Sequence, residues 1–294
     1  MKIFRHYILL LSCLSISYVA IGQVDLFPIH FGQVGLVKSI LNPALQNVDA
    51  ANTFVFCNQF YTGAFSKFDN LFFQGSVGLN KSDSAAYKHF VGLKFTNEIE
   101  GDYIDRPRYF VSYAWHTQLT ERYRVGAGLN IGRSSYRYKG TNVSSLGSDS
   151  NWDGDFGLSL YSEQNVLAFS CNQLFNSKII PKEMYFRWAR YYTVFVQKTF
   201  QISKASSFSV FVQNQFLPNQ FDKTDVGIQL ISNNLLIVGG NMYFKQSLSF
   251  LTGLKDISID KHHFSVFTSY TVPFSKQSNA NVQSYELALV YTIK

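Results

Sequence analysis

The sequence predicts an all-β fold: an outer-membrane barrel of about 14 antiparallel strands behind a short N-terminal lead-in. Three observations carry this. The first is the last stretch, Ser284 to Ile293, where Tyr285, Leu287, Leu289, Tyr291 and Ile293 alternate with Glu286, Ala288, Val290 and Thr292. Strand side chains point to opposite faces with a period of two, so one face is apolar with an aromatic near each end and the other is small, polar or charged, Val290 excepted. A strand with lipid outside and a packed or watery lumen inside reads this way. The second is a recurrence of such segments separated by connections that alternate between long and short. The third is composition: 17% aromatic residues, with 28 Phe and 18 Tyr, against only 15% charged.

Residues 1–22 read as a secretory signal. Lys2 and Arg5 give the positive start, 7–20 is mostly apolar, and Ala20 and Gly22 are the small residues of a cleavage site. The mature chain then begins at Gln23. The rival reading is a lipoprotein box at Leu10-Leu11-Ser12-Cys13, whose apolar core after Arg5 is short. Removing 1–22 takes two cations from a formal charge of +7. The remaining mild excess favours an acidic surface such as lipopolysaccharide, and no dense basic block marks a nucleic-acid site. Beyond the signal no run of about 18 apolar residues remains, so no membrane helix is expected.

Residues 23–50 are a periplasmic, plug-like lead-in. Their apolar residues fit no strand period, and Asn42-Pro43-Ala44 breaks the run. Part of it is expected to be helical, tucked in or under the barrel mouth. The barrel itself occupies 51–294. Its segments fall at 52–60, 69–79, 88–97, 107–118, 122–133, 153–161, 165–174, 188–200, 206–215, 224–232, 235–243, 248–256, 262–272 and 283–293. In the clearest, Val125, Ala127, Leu129 and Ile131 oppose Gly126, Gly128, Asn130 and Gly132. Inward glycines imply a crowded interior or local bending. Phe195, Phe211 and Phe267 break the polar side of their segments and argue for a filled lumen. Long connections are expected at 98–106, 134–152, 175–187, 217–223 and 274–282, and short ones at 119–121, 162–164, 201–205 and 233–234. All the long ones are odd in order and all the short ones even, as in bacterial barrels with long outer loops and short periplasmic turns.

No residue set nominates catalysis, a cofactor or a metal. His262 and His263 are adjacent on a strand and point to opposite faces. Glu98, Glu100, Asp102 and Asp105 form an acidic cluster on an expected outer loop, without a calcium-loop pattern. Asp153 and Asp155 share a face and, with Asn151, suit loop pinning. Cys57 and Cys171 read as small buried or lipid-facing residues. There is no Gly-x-Ser-x-Gly elbow, phosphate loop or zinc signature. The densest aromatic and basic stretch is Arg187, Trp188, Arg190, Tyr191 and Tyr192. It is expected at the headgroup level, where aromatic rings and lipid phosphates meet, or as a partner hot spot.

The order and spacing of several motifs resemble the PorP/SprF family of type IX secretion system membrane proteins of Bacteroidetes. These are Gln23, Asn42-Pro43-Ala44, the glycine-alternating run 125–132, Asp153-Gly154-Asp155-Phe156-Gly157-Leu158-Ser159-Leu160-Tyr161, the run 167–174, and Ser284-Tyr285-Glu286-Leu287. The resemblance implies a non-enzymatic outer-membrane barrel, without cofactors, working with the export machinery and associated with gliding motility. Implied partners are the translocon barrel, periplasmic secretion components and secreted adhesins with a C-terminal signal domain. Outer loops 134–152 and 175–188 and the lead-in are expected to make the contacts, with Asn42, Pro43, Arg187, Trp188, Arg190 and Tyr191 as candidates. A solute channel of the hydrophobic-compound type is the alternative.

Overall fold

The computed structural model describes residues 24–26, 31–33, 35–79, 87–139, 147–181, 185–218, 220, 222–244, 246–274 and 283–294. The proposed signal and Cys13 lie outside them. Short strand β1 (Val24–Leu26) precedes the barrel, which opens with β2 (Asn52–Tyr61), β3 (Phe68–Gly78), β4 (Tyr87–Glu100), β5 (Ile104–Gln118), β6 (Arg124–Tyr138), β7 (Ser148–Tyr161) and β8 (Asn165–Asn172). Two short strands follow, β9 (Lys178–Ile179) and β10 (Phe186–Trp188). The barrel resumes with β11 (Tyr191–Ser203), β12 (Ser206–Phe216), β13 (Lys223–Ser232), β14 (Leu236–Tyr243), β15 (Ser247–Ile259), β16 (His262–Pro273) and β17 (Ser284–Ile293).

These 14 long strands form a closed antiparallel barrel in which β17 pairs with β2, from Ser284 opposite Tyr61 to Ile293 opposite Asn52. Closure leaves no open edge, which strands in hydrocarbon require. On β17 the alternation holds: Glu286, Ala288 and Thr292 are buried toward the lumen, while Tyr285 and Leu289 are exposed on the outer wall. Stacked outward rings mark both ends of the β17–β2 seam, Phe60 on Tyr285 at 5.6 Å and Phe54 on Tyr291 at 5.9 Å. Between the ends the wall is apolar; Leu93 and Val111 are each 63% exposed. Side chains like these are stable outside only against lipid.

One end of the barrel carries the turns 119–123, 162–164, 204–205, 233–235 and 260–261, together with the connection 79–86. The other carries 139–147, 173–190 and 274–283, but also the tight turns 101–103 and 244–246. Two expected long loops therefore shrink. Residues 98–106 are mostly strand, because Glu98, Glu100 and Arg106 pair across neighbouring strands. Glu98 lies 3.3 Å from Arg106 and 3.0 Å from Arg108, and Arg106 also pairs with Glu100. Carboxylates on a spanning strand mimic a loop in sequence; mutual neutralisation makes a strand affordable for them. Residues 134–138 and 148–152 likewise extend β6 and β7, since Tyr136 is buried and stacks on Phe186 at 4.5 Å.

That stacking belongs to a small cap over the long-connection end. β1 pairs in parallel with β10, which pairs antiparallel with β9. Leu26, Tyr136, Ile179, Phe186 and Trp188 form its core.

Candidate functional site

The lumen is filled by the chain's own N-terminal segment. Leu26 sits in the cap at the long-connection end. Phe31 then packs edge-on against Phe72 of β3, with ring centroids 6.2 Å apart, in a cluster with Val37, Ile237, Leu251 and Phe267. Leu41 packs on Ala168, Phe195 and Phe211. Val48 packs on Phe90 and Ala114, and Asp49 meets Arg124 at 3.3 Å beside the short turns. The amide of Ala51 donates to Ile293 O at 2.7 Å, where β2 begins. The described part of 23–50 thus runs the length of the lumen rather than staying at the short-turn mouth. Its only helical element is a single 3-10 turn, Lys38–Ile40. The inward Phe195, Phe211 and Phe267 are buried here, because they have this segment to pack against.

Polar contacts fix its register. The Gly32 amide donates to both Glu286 oxygens, at 2.7 and 2.9 Å, and Gln59 Nε2 donates to Glu286 Oε1 at 2.7 Å. A carboxylate on a wall strand is thereby satisfied by lead-in backbone. Lower down, Asn42 Nδ2 donates to Leu158 O at 3.2 Å and Phe169 O at 2.8 Å, while its Oδ1 accepts from the Ala44 amide at 2.8 Å. Ser159 Oγ donates to Ala44 O and Ser170 Oγ to Leu41 O. Near the short turns Lys88 Nζ donates to Val48 O at 2.8 Å.

The Asn-Pro-Ala clamp needs a notch in the wall. Gly128 of β6 and Gly157 of β7 lie directly opposite each other. A Cβ on Gly128 would collide with the Pro43–Ala44 peptide, and one on Gly157 with the Asn42 side-chain amide. Two adjacent residues without side chains let the lead-in backbone touch the sheet.

Above the clamp is a charged belt. Asp155 accepts from Lys94 at 3.2 Å, from Asn130 Nδ2 at 2.9 Å and from the Gln173 amide at 3.3 Å. Asp153 accepts from Ser134 Oγ at 2.7 Å. Both carboxylates face inward, and Asp155 ties β7 to the start of the 173–190 connection. The Arg108 guanidinium lies over the Trp188 ring at 5.5 Å and links the belt to the cap.

Several expected site residues are elsewhere than the sequence implied. Asn42 and Pro43 are buried in the clamp against the barrel wall. Trp188 is 0% exposed in the cap and Tyr191 faces the lumen, so neither belongs to an aromatic belt at the headgroups. The reason is that residue 188 precedes the barrel strand, which starts at Tyr191, and the cap needs a large ring to fill it. Tyr192 does face outward. Arg190 is exposed, with its Nε donating to Leu174 O at 3.0 Å, and Arg187 is half-buried. The acidic cluster is dispersed: Glu98 and Asp105 are buried, and Asp102 pairs with Lys67. His262 Nδ1 meets Tyr291 Oη at 2.6 Å and His263 Nδ1 meets Asp256 Oδ1 at 2.7 Å, so the two rings diverge. Among the described residues no group of three or more His, Cys, Asp or Glu is placed to hold a metal. Cys57 and Cys171 are free. The sequence reading missed the Glu286–Gly32 anchor, although a carboxylate among small lumen-facing residues signalled a partner inside.

The short-turn mouth is concave. A cavity of about 480 Å³ lies beside the lead-in's exit, lined by Asp49, Arg122, Arg124 and Glu163 among others. A second, of about 250 Å³, lies on the β2–β3 side.

Solved structures with this architecture share its fold. CymD, described as a monoaromatic hydrocarbon channel, aligns with a TM-score of 0.59 at 10% identity, over 91% of this chain and 94% of that one. The Ralstonia pickettii toluene transporter TbuX aligns at 0.57 and 11% identity, over 90% and 95%. The Pseudomonas putida toluene transporter TodX aligns at 0.54 and 12%, over 91% and 98%. No curated protein matches the sequence. The family described as type IX secretion system membrane protein PorP/SprF matches residues 28–291. That span covers the lead-in from residue 28 onward and all 14 barrel strands, the last as far as Tyr291, including the Asn-Pro-Ala clamp and its glycine notch. The closed barrel with its lipid-compatible wall is an outer-membrane barrel, and the chain belongs to the PorP/SprF family of type IX secretion system membrane proteins.

Proposed function

We propose that this barrel is a non-conducting, non-enzymatic adaptor of the type IX secretion system, serving the export or surface anchoring of secreted proteins such as adhesins. The observation that carries this is the lumen: the chain's own segment occupies it from cap to short-turn mouth, held by backbone and side-chain bonds along its length. A barrel filled in this way offers its ends, not its bore. By the short-turn rule the concave mouth faces the periplasm and the cap faces outward. The mouth then receives the translocon or periplasmic components, while Arg187, Arg190 and the connections 139–147 and 173–190 offer contacts on the outer side. The rest of the cell envelope it touches is lipid, with lipopolysaccharide around the outer rim.

The solute-channel alternative draws on the hydrocarbon channels and transporters that share the fold. Identities of 10–12% carry the fold alone, and the filled lumen fits that reading less well. Affinity purification from native membranes decides between them. The adaptor reading expects secretion components to co-purify, and deletion to remove a surface protein while the translocon itself still assembles. Steady solute flux through the purified protein, without co-purifying components, overturns it.

A further inference from the structure

The cavity of about 250 Å³ is lined by two unmet polar groups and by apolar side chains. Lys38, on the single turn of the lead-in, is half-buried at its edge. Among the described residues nothing accepts from its ammonium, and the charge that bears on it is another cation, Lys255. Gln74 of β3, which is buried, also lines the cavity. Its Nε2 donates to Gln46 Oε1 at 3.2 Å, and its own Oε1 has no partner. Leu36, Leu45, Val55 and Val290 are its apolar lining. Asn47, exposed at the short-turn mouth, lines the entrance.

A half-desolvated ammonium without an acceptor is unfavourable until an anion joins it. A buried amide oxygen without a donor is likewise unfavourable. One ligand can relieve both only if it carries both an anion and an N–H. An inorganic anion would leave the Gln74 oxygen and the apolar wall unused. The volume corresponds to about eight waters at ~30 Å³ each, room for a terminal group and one apolar side chain.

We propose that this cavity receives a carboxylate-bearing polypeptide segment from the short-turn side, with the carboxylate at Lys38, an amide N–H at Gln74 Oε1 and an apolar side chain against Leu36, Leu45 and Val55. The proposal rests on the adaptor reading and names the chemistry by which a partner is engaged. The carboxylate is either a chain terminus or an acidic side chain.

The test uses the full chain in detergent micelles and three short peptides followed by saturation-transfer NMR. One is acetyl-Ala-Leu-Leu with a free carboxylate, one is the same peptide amidated, and one is acetyl-Ala-Glu-Leu-amide. At least one carboxylate peptide is expected to bind about tenfold or more tightly than the amidated Leu peptide. Which of the two binds identifies the source of the carboxylate. Lys38→Met should abolish that preference, Lys38→Arg should retain it, and Gln74→Leu should weaken binding several-fold. Folding of each variant is read from heat-dependent gel mobility. Should Lys38→Met not fold, peptide amidation and Gln74→Leu still give the answer. Equal binding of the amidated peptide, undiminished binding by Lys38→Met, or no binding by any peptide overturns the site. Co-purification of secretion components with the unmodified chain is scored separately: if it persists while the peptides fail, the site alone is wrong.

Discussion

Replacing Asn42 with alanine isolates the clamp that holds the lead-in against the wall. The side chain makes three hydrogen bonds, two to wall carbonyls and one within the lead-in. Only the two wall bonds distinguish the seated from the unseated state, and at a net worth of about 1 kcal/mol each their loss removes roughly 2 kcal/mol from the seated state. If the lead-in leaves the lumen as a unit, the unseated population should rise about 30-fold. The assay is single-channel recording in a planar bilayer. The unmodified barrel should be silent, and Asn42→Ala should show brief openings whose frequency rises by about that factor. Gly157→Leu approaches the same contact from the wall, where a side chain would occupy the space of the Asn42 amide. It should open the lumen at least as often. A folded Asn42→Ala barrel as quiet as its parent would show that the clamp does not keep the lumen closed. A parent that conducts steadily would refute the filled lumen itself.

Other perturbations address the remaining anchors. Glu286→Ala removes the acceptor of the Gly32 amide and of Gln59, and should lower stability by about 2–4 kcal/mol, seen as a lower temperature for loss of the compact gel band. An unchanged transition would remove Glu286 as an anchor. Arg108→Ala takes one partner from Glu98 and the cation from the face of Trp188, so about 3 kcal/mol of stability should go with a red shift of Trp188 emission. Unshifted emission would separate the belt from the cap. Gly128→Val puts a branched side chain into the Pro43–Ala44 peptide and should reduce the yield of folded barrel sharply, whereas Ala127→Val, on the outward side of the same strand, should not. Equal yields would mean that the notch is not needed.

The barrel was legible in the sequence because a transmembrane wall imposes a period of two on each strand, and β17 and the 125–132 run carry it with few exceptions. The presence of 14 segments, the closing pair and the inward Phe195, Phe211 and Phe267 followed from that local pattern. The loops were less legible, since Glu98, Asp105 and Arg106 look solvent-exposed until their partners on the neighbouring strands are known. The path of the lead-in was decided only by the tertiary structure. Asn42 and Gly157 are 115 positions apart, Gly32 and Glu286 further still, and no local period relates them. Alternation tells which way a side chain points from its own strand, but not what fills the space it points into. That depends on where the closed wall brings distant residues together.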